Sequence, residues 1–531
     1  MLVEKSQKLS IPEKHDIVSI YPDLSQWPAL LAKNIQLTKD IPNKSENRAE
    51  LLQIARDYTL NVLGVSCKSD APQKIVATGH QAIWHHCGVW AKDLVTHEFA
   101  KSIGGGSLHL ILDHDISDAS MVLPKRNTHG GWCFKRISIG PGRKTVPLEF
   151  RKLPQKKCLS TFLDAVTKSH PQRLCNRFWF KSAILQAGEI SRFRNVADLI
   201  TYLQAILNIA LGLEDILYLP VSLLSESDAF TDFVISIVQN AERFATSYNA
   251  GINNIENTTA GAVRRLSLDK QTGLVELPFW LVWPDGKRES LYVDSGDVGE
   301  IGIGTSSARL GYLNSASDKG KKEQLKNLLR QAGCFLRPKA VSLTLFVRLF
   351  LADWFVHGVG ASQYEPVTDY IIENYYSDLS GLAYGVATCT MKLPVPENGS
   401  FTDEDISQLK HNLHDIKHNP ERYISDRRLK KRAIVNLLRA KKEQIAQAND
   451  CSLPSDVRKA AWTSLLDTNR KLFVYVKGTA EMLENEVAEC EQNKISREVF
   501  NSREFFFGLF PEDRLRKMAQ SLTFAEHELC S

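Results

Sequence analysis

Two groups of polar residues in the first quarter of the chain carry side chains that can transfer protons. The first group forms a turn after an apolar run and consists of Thr78, Gly79, His80, Gln81, His85, His86 and Gly88. The second group consists of Asp113, His114 and Asp115. Imidazole changes charge near neutral pH, and both imidazole and carboxylate can accept the proton of a reacting amine. The pattern therefore predicts proton transfer or the binding of a charged ligand, and ordinary polar surface turns are the alternative.

The elements around these groups predict that they meet at one edge of a sheet. Residues 74–78 and 108–112 are short apolar runs, and an apolar helical pattern begins near Gly88 and stops at Gly104–Gly106. A strand, helix and strand of this length favour two parallel strands with the helix packed on the sheet. The polar groups then follow the carboxyl ends of both strands, where open α/β sheets bind ligands.

A third candidate region lies between residues 337 and 376. Arg348 interrupts an apolar segment, and Gly358 and Gly360 form a G-x-G turn between an extended segment and a helix. A turn of this kind can bind an anion through backbone N–H groups. Arg348 and Asp353 must be paired if they are buried, and a structural ion pair explains them as well as a catalytic role does.

The domain organisation predicted from the pattern is an α/β core interrupted by a small insertion and followed by helices. A hairpin signal at residues 275–293 indicates a β-containing insertion over residues 250–300, between core segments 1–249 and 301–396. Residues 397–531 predict a helical coiled-coil hairpin, with one helix from Val457 to about Asn493 that repeats apolar residues at spacings of 4, 4 and 3. Because this stripe is long, we expect a homodimer to cover part of it, although packing on the protein's own core would also serve.

Composition and charge narrow the class of protein. The chain of 531 residues is 43% hydrophobic and 24% charged, with a net charge of +5 that does not demand nucleic acid as a partner. Ten cysteines without a C-x-x-C pair, and an N-terminus without the apolar core of a signal peptide, favour a cytoplasmic protein with no membrane partner. No H-x-x-x-H pair accompanies the candidate residues, so we predict no metal site.

The order of these segments resembles the bacillithiol-biosynthesis cysteine-adding (BshC) enzymes over most of the chain. The resemblance is carried by five segments: Thr78-Gly79-His80-Gln81, Asp113-His114-Asp115, Glu276-Leu277-Pro278-Phe279-Trp280, the block from Arg337-Pro338 to Tyr364, and Leu509-Phe510-Pro511-x-x-x-Leu515. It implies a Rossmann-like parallel-sheet core with a connective insertion and a C-terminal coiled coil. Two positions depart from the family, since His80 replaces a glutamine and Leu112 replaces a glutamate.

The resemblance implies a ligase that joins an amino acid, cysteine in the family, to the amine of an aminosugar conjugate. Amide formation needs an activated carboxyl group, so ATP or another nucleotide is the expected co-substrate, although the sequence has no ATP motif. In this interpretation His80, Gln81, His86 and Gly88 face a phosphate or carboxylate, while Asp113, His114 and Asp115 orient the amine and accept its proton. The competing hypothesis is a non-catalytic nucleotide- or partner-binding protein that assembles through its coiled coil.

Overall fold

The chain divides into two compact units. The computed structural model describes residues 9–13, 15–68, 72–126, 131–140, 145–169, 190–253, 263–295, 299–393 and 403–522. Within these residues, the first unit comprises the chain up to Leu123, Arg136–Leu393 and the chain from Arg503 onward. The second unit comprises Pro124–Lys135 and the chain up to Ser502 that follows residue 393.

The described strands form two larger sheets and one pair. Their bounds are β1 Val18–Tyr21, β2 Ile75–Gln81, β3 Gly106–Leu112, β4 Ser120–Arg126, β5 Trp132–Ser138, β6 Ile216–Pro220, β7 Val275–Val282, β8 Arg288–Ser295, β9 Ile301–Gly304, β10 Arg309–Leu313, β11 Phe335–Pro338, β12 Trp354–His357 and β13 Gly385–Cys389. The first sheet has the order β1-β13-β12-β2-β3-β6, the second has the order β10-β9-β8-β7-β11, and β4 pairs with β5.

The first sheet is parallel except for its edge strand β1, which pairs antiparallel with β13. The two strands expected near residues 74–78 and 108–112 are adjacent and parallel, in a register from Ile75 opposite Gly106 to Gln81 opposite Leu112. Their apolar side chains are almost completely buried, which is typical of parallel strands covered on both faces. The sequence prediction of this strand pair is confirmed.

The described helices of the first unit before residue 394 connect or cover these strands. They are α1 Trp27–Thr38, α2 Lys44–Asp57, α3 Cys87–Ser102, α4 Lys156–Ser169, α5 Val196–Ala210, α6 Val221–Leu224, α7 Asp228–Val238, α8 Ala241–Ile252, α9 Asp318–Gln331, α10 Ala340–Phe346, α11 Val359–Ser362 and α12 Glu365–Tyr375. Helix α10 continues as a π-helical turn over Val347–Leu351. Helix α3 links β2 to β3, and most of its side chains are buried on every side.

The second sheet is antiparallel and begins with the hairpin expected near residues 275–293. The turn between β7 and β8 contains Gly286, whose φ of +97° suits glycine. The sheet continues beyond residue 300 through β9, β10 and β11, and β11 returns to pair with β7. One apolar core joins the two sheets, with Leu108 and Leu110 from the first and Phe279 from the second.

The second unit is helical in its described part after residue 402. Its helices are α13 Asp403–His418, α14 Asp426–Leu429, α15 Arg432–Asn449, α16 Ser455–Phe473 and α17 Lys477–Asn501. Helix α15 packs against α16, and α13 packs against α17. The last described helix of the chain, α18 Glu512–Gln520, belongs to the first unit.

The structure differs from the single long helix predicted from Val457 to about Asn493. The helix ends at Phe473, and a turn at Val474–Val476 separates α16 from α17. The turn begins and ends with a valine, and β-branched residues have low helix propensity. The repeating apolar residues Ala461, Leu465, Leu472 and Cys490 are nevertheless buried inside the unit.

No helix in the described part of the chain is both long enough and apolar enough to cross a membrane. Seven cysteines within the described ranges carry free thiols: Cys67, Cys87, Cys133, Cys158, Cys334, Cys389 and Cys451.

Candidate functional site

A cleft of about 500 Å³ opens at the carboxyl ends of β2 and β12. These neighbouring strands mark the place where the strand order reverses: the chain proceeds from β2 through β3 to β6 on one side, whereas β12 and β13 lie on the other. Such a switch point leaves a crevice between the strand ends, where parallel sheets bind ligands.

Seven of the residues predicted for a site line this cleft, namely Gly79, His80, Gln81, His86, Gly88, Gly358 and Gly360. The end of β2 supplies the first three, and the start of α3 supplies the next two. The two remaining glycines follow β12. The lining also includes Lys92, His357 and Arg503, which the sequence analysis did not select.

Lys92 lies on α3, and only 3% of its surface is exposed. Its ammonium donates a hydrogen bond to the Gly79 carbonyl oxygen at 2.6 Å. Among the described residues, no carboxylate oxygen lies within 4.0 Å of this ammonium. Burial lowers the pKa of Lys92 to about 8, so the side chain is still mostly charged at neutral pH. Lys92 is therefore a buried cation with donors left for an anionic ligand.

Arg503 supplies a second cation to the cleft. Its Nη2 donates to the Thr388 hydroxyl and to the Cys389 carbonyl oxygen, both at 3.1 Å. Its Nε and Nη1 are buried and have no hydrogen-bond partner within the described residues. A buried donor without a partner costs free energy, and a ligand oxygen would remove that cost.

The segment that carries Arg503 packs on the start of α3. Phe507 donates its backbone N–H to the His85 carbonyl oxygen at 2.8 Å, and its ring stacks on Trp90 at 5.3 Å. Gly88 lies directly under Arg503, because a Cβ atom added at Gly88 would overlap Arg503 Nη2 and lie 2.8 Å from the Cys389 carbonyl oxygen. Glycine at this position thus leaves the space that the guanidinium fills.

The histidines of the cleft are neutral at pH 7. Burial, together with Arg503 and Lys92, lowers the pKa of His86 to about 4, and its Nδ1 accepts the Gly88 N–H at the start of α3. Burial and Lys92 hold the pKa of His80 well below its ordinary value. Burial, Arg348 and Lys92 do the same to the pKa of His357. Lys92 and Arg503 therefore supply the positive charge of the cleft, and the acidic residue Glu504 also lines it.

A second polar cluster lies behind His80. The His85 ring is 4.9 Å from the His80 ring, and its Nε2 is 3.0 Å from the Gln81 carbonyl oxygen. The His109 ring lies 5.7 Å from the His85 ring, and His109 Nδ1 is 2.6 Å from Asp93 Oδ1. Burial alone would raise the pKa of Asp93, but the adjacent His109 holds it below the ordinary value.

Asp113 lies outside the cleft lining, although we expected it to converge with His80 and His86. The strand ends at Leu112, and the turn that follows directs the Asp113 carboxylate toward Ser222 of α6. The Ser222 N–H donates to Asp113 at 2.9 Å and the Ser222 hydroxyl donates at 2.5 Å. The carboxyl group is completely buried, and burial together with Glu149 raises its pKa to about 7.

His114 and Asp115 also differ from their expected position. His114 is buried beside the Pro338 carbonyl group, and burial lowers its pKa to about 4. Asp115 is half-buried and accepts a hydrogen bond from the side chain of Gln81 at 3.2 Å. It also lies 3.5 Å from Arg288 Nη1. Asp115 is thus hydrogen-bonded to a residue that lines the cleft, whereas Asp113 is hydrogen-bonded to Ser222.

Thr78 and Arg348 support the cleft from behind. The Thr78 hydroxyl donates to the Val356 carbonyl oxygen at 2.8 Å and so ties β2 to β12. Arg348 pairs with Glu365 at 2.7 Å and with Asp369 at 2.8 Å. The structure thus pairs Arg348 with acidic residues of α12, whereas Asp353 pairs with Arg48 at 2.6 Å.

No model of a known protein family matches the chain, and no curated protein matches it either. The resemblance to the BshC enzymes therefore rests on the sequence segments quoted above and stays a prediction. In the described part of the chain, no three His, Cys, Asp or Glu side chains are grouped so that they could hold a metal ion.

The residues that sequence reasoning missed differ in the signal they gave. Lys92 stands beside Asp93 in the first half of α3, where the flanking Val89, Trp90, Ala91, Leu94 and Val95 are apolar, and this pattern could have marked it as a buried cation. Arg503 gave no comparable signal, because it lies far from β2 along the chain and joins the cleft only through the tertiary packing of residues 503–510.

Proposed function

We propose that this chain is a BshC-like ligase with a Rossmann-like core and a C-terminal coiled-coil region. In this proposal it joins an amino acid to the amine of an aminosugar conjugate. The observation that carries the proposal is the pair of cations in the cleft, Lys92 and Arg503, neither of which has a carboxylate partner within 4.0 Å in the described residues. Substrates for amide formation bring carboxylate or phosphate groups, and buried cations bind such groups strongly.

In this proposal the residues of the cleft have different roles. Lys92 and Arg503 bind the anionic group and hold it at the ends of β2 and β13. His80 and His86, which are uncharged at neutral pH, donate or accept hydrogen bonds without adding charge. Gln81 connects the cleft to Asp115, whose carboxylate is the member of the acidic group best placed to orient an amine. ATP or another nucleotide would supply the activated carboxyl group.

The chain lacks a P-loop, so any nucleotide phosphate would be held by side chains. This feature also suits the alternative function, a non-catalytic nucleotide- or partner-binding protein that assembles through its helical unit. Both functions need an anion in the cleft, and they differ in whether a new covalent bond forms.

The two functions can be separated with the purified full chain, ATP, cysteine and glucosaminyl-malate. We expect mass spectrometry to detect an amide product whose formation requires all three substrates and the chain. Lys92→Met should reduce product formation by about 10- to 100-fold, which corresponds to the loss of a charged hydrogen bond. Lys101→Met is the matched control, because Lys101 lies on the same helix α3 but is exposed.

An absence of product and of ATP turnover in the wild-type chain would refute the ligase. If ATP or inorganic phosphate still bound in calorimetry and Lys92→Met still weakened that binding, the non-catalytic alternative would be favoured.

We further propose that the protein works as a homodimer in the reducing cytoplasm. The seven free thiols named above support a reducing compartment. Trp462 and Leu466, one turn apart on α16, are 56% and 37% exposed and form an apolar surface that a second copy could cover.

A further inference from the structure

His357 is the last residue of β12 and lines the cleft, yet it is 98% buried, with 2% of its surface exposed. Its Nε2 lies 3.5 Å from Glu365 Oε2 and makes no hydrogen bond within the described residues. A carboxylate accepts hydrogen bonds but cannot donate them, so the neutral ring is most stable with its proton on Nε2, toward Glu365. The lone pair on Nδ1 then remains for a ligand.

Glu365 is the first residue of α12 and is completely buried. Its Oε2 accepts a hydrogen bond from Arg348 Nη1 at 2.7 Å, whereas its Oε1 has no hydrogen-bond partner in the described part of the chain. Arg348 also pairs with Asp369 at 2.8 Å. Two carboxylates therefore share one guanidinium, and the ionised cluster has one negative charge in excess.

A proton on His357 would balance this charge. Burial opposes a charged imidazole, and so do Arg348 and Lys92, which face the ring from the π-helical turn after α10 and from α3. Glu365 favours the charged ring from α12, with Asp369 behind it. The Tyr384 ring, 5.1 Å from the His357 ring, completes the surroundings. An anionic substrate that pairs with Lys92 would weaken one of the opposing charges.

We propose that His357 is the proton acceptor of the cleft and that Glu365, held by Arg348, is the residue that positions it. This inference rests on the proposed ligase function. As the amine nitrogen forms its bond to the carbonyl carbon of an acyl phosphate made with a nucleoside triphosphate, the nitrogen gives its proton to His357 Nδ1. The electron pair of the breaking C–O bond leaves with the phosphate, and the Glu365 carboxylate stabilises the imidazolium.

The position of the ring proton can be measured without any substrate. In the full chain with ¹⁵N-labelled histidines, a long-range ¹H–¹⁵N correlation spectrum reports which ring nitrogen carries the proton, and the signal lost in His357→Gln identifies His357. We expect a neutral ring with its proton on Nε2 at pH 8, where Glu365, whose pKa is about 7, is ionised. We expect Glu365→Gln to reduce this preference, while Glu365→Asp retains it. A proton on Nδ1, or a ring that is already charged at pH 8 without ligand, would overturn the proposal.

The catalytic role has its own readout, the pH dependence of amide formation. We expect His357→Gln to lower the rate about 10²- to 10⁴-fold, the usual range for a general base, with little change in the KM for ATP. Burial and Asp369 raise the pKa of Glu365 to about 7. The wild-type rate should therefore rise as pH increases through about 7, and the Glu365→Gln rate should lack this rise.

The outcomes separate the two proposals. Product formation that survives in His357→Gln at the wild-type rate would refute His357 as proton acceptor and leave the ligase intact. A wild-type chain that makes no product would refute the ligase, and the ring-proton measurement would then decide whether His357 presents a bare Nδ1 to the cleft. Glu365→Asp guards against misfolding, because it keeps the charge at that position.

Discussion

Replacing Asp113 by asparagine should stabilise the protein at alkaline pH. The wild-type carboxyl group is completely buried, and burial with Glu149 raises its pKa from 3.8 to about 7. Asparagine can keep both contacts to Ser222, since its Oδ1 accepts the Ser222 N–H and its Nδ2 donates to the Ser222 hydroxyl. The variant thus keeps the shape of the site and removes only the ionisation.

The magnitude follows from the difference in pKa. A folded-state pKa above the unfolded value means that the folded chain holds the proton more tightly, so this stability is present below pH 3.8 and is lost between about pH 4 and 7. Three pH units at 1.36 kcal/mol each give about 4 kcal/mol. Above pH 7 the variant should be more stable than the wild type by a few kcal/mol, and near pH 4 the two should be equal.

Urea unfolding at a series of pH values between 4 and 9 measures this difference. The exposed Asp40→Asn serves as the control for removing a carboxylate from the surface. A stability difference between the wild type and Asp113→Asn that did not change with pH would refute the argument, because it would mean that the buried carboxyl group is not held in its protonated form. Phosphate binding should be unchanged in Asp113→Asn, since the side chain lies outside the cleft lining.

Three further predictions concern the cleft and the helical unit. The affinity for inorganic phosphate in calorimetry should fall as the pH rises above about 8, since the pKa of Lys92 is about 8 and the neutral amine binds anions weakly. Constant affinity from pH 8 to pH 10 would contradict this. Gly88→Ala should displace Arg503 and weaken phosphate binding. Gly360→Ala should leave phosphate binding unchanged, because the added methyl group meets open space. Equal losses of phosphate affinity in both variants would argue against the Arg503 contact. Light scattering should give twice the chain mass of 59.7 kDa, and Trp462→Glu should lower it to one chain; a wild-type monomer at micromolar concentration would exclude the dimer.

The sequence was informative where a local pattern determines the structure. The apolar runs before Gly79 and before Asp113, with an apolar helix between them, allow few arrangements other than adjacent parallel strands. This local pattern is enough to predict that His80, His86 and Gly88 lie together at one edge of the sheet. The hairpin at Gly286 could be predicted for the same reason, because the turn residues and the flanking strands are neighbours in the chain.

The sequence was less informative where tertiary packing decides. In the sequence, His80 and Asp113 both come shortly after an apolar run. In the structure a turn directs Asp113 to Ser222, and nothing near Asp113 in the sequence indicates that partner. For a similar reason the sequence did not indicate that Glu365 is the partner of Arg348 and His357. Acidic residues are common at the starts of helices, so Glu365 gave no distinct signal. In the helical unit, the spacing of apolar residues continues through Val474–Val476, although the helix ends there. Two successive helices can each bury an apolar stripe with the same spacing, so the spacing alone does not indicate the break.

The order of segments along the chain has a consequence for how the protein is made. Arg503 belongs to the first unit but is synthesised after every helix of the second unit. A chain that is still on the ribosome can therefore contain both sheets and Lys92 while it lacks the other cation and the Phe507 contact that covers the start of α3. Because domains begin to fold during synthesis, the anion site becomes complete only after the second unit has been made. A message truncated before codon 503 would encode both sheets and Lys92 but neither Arg503 nor Phe507.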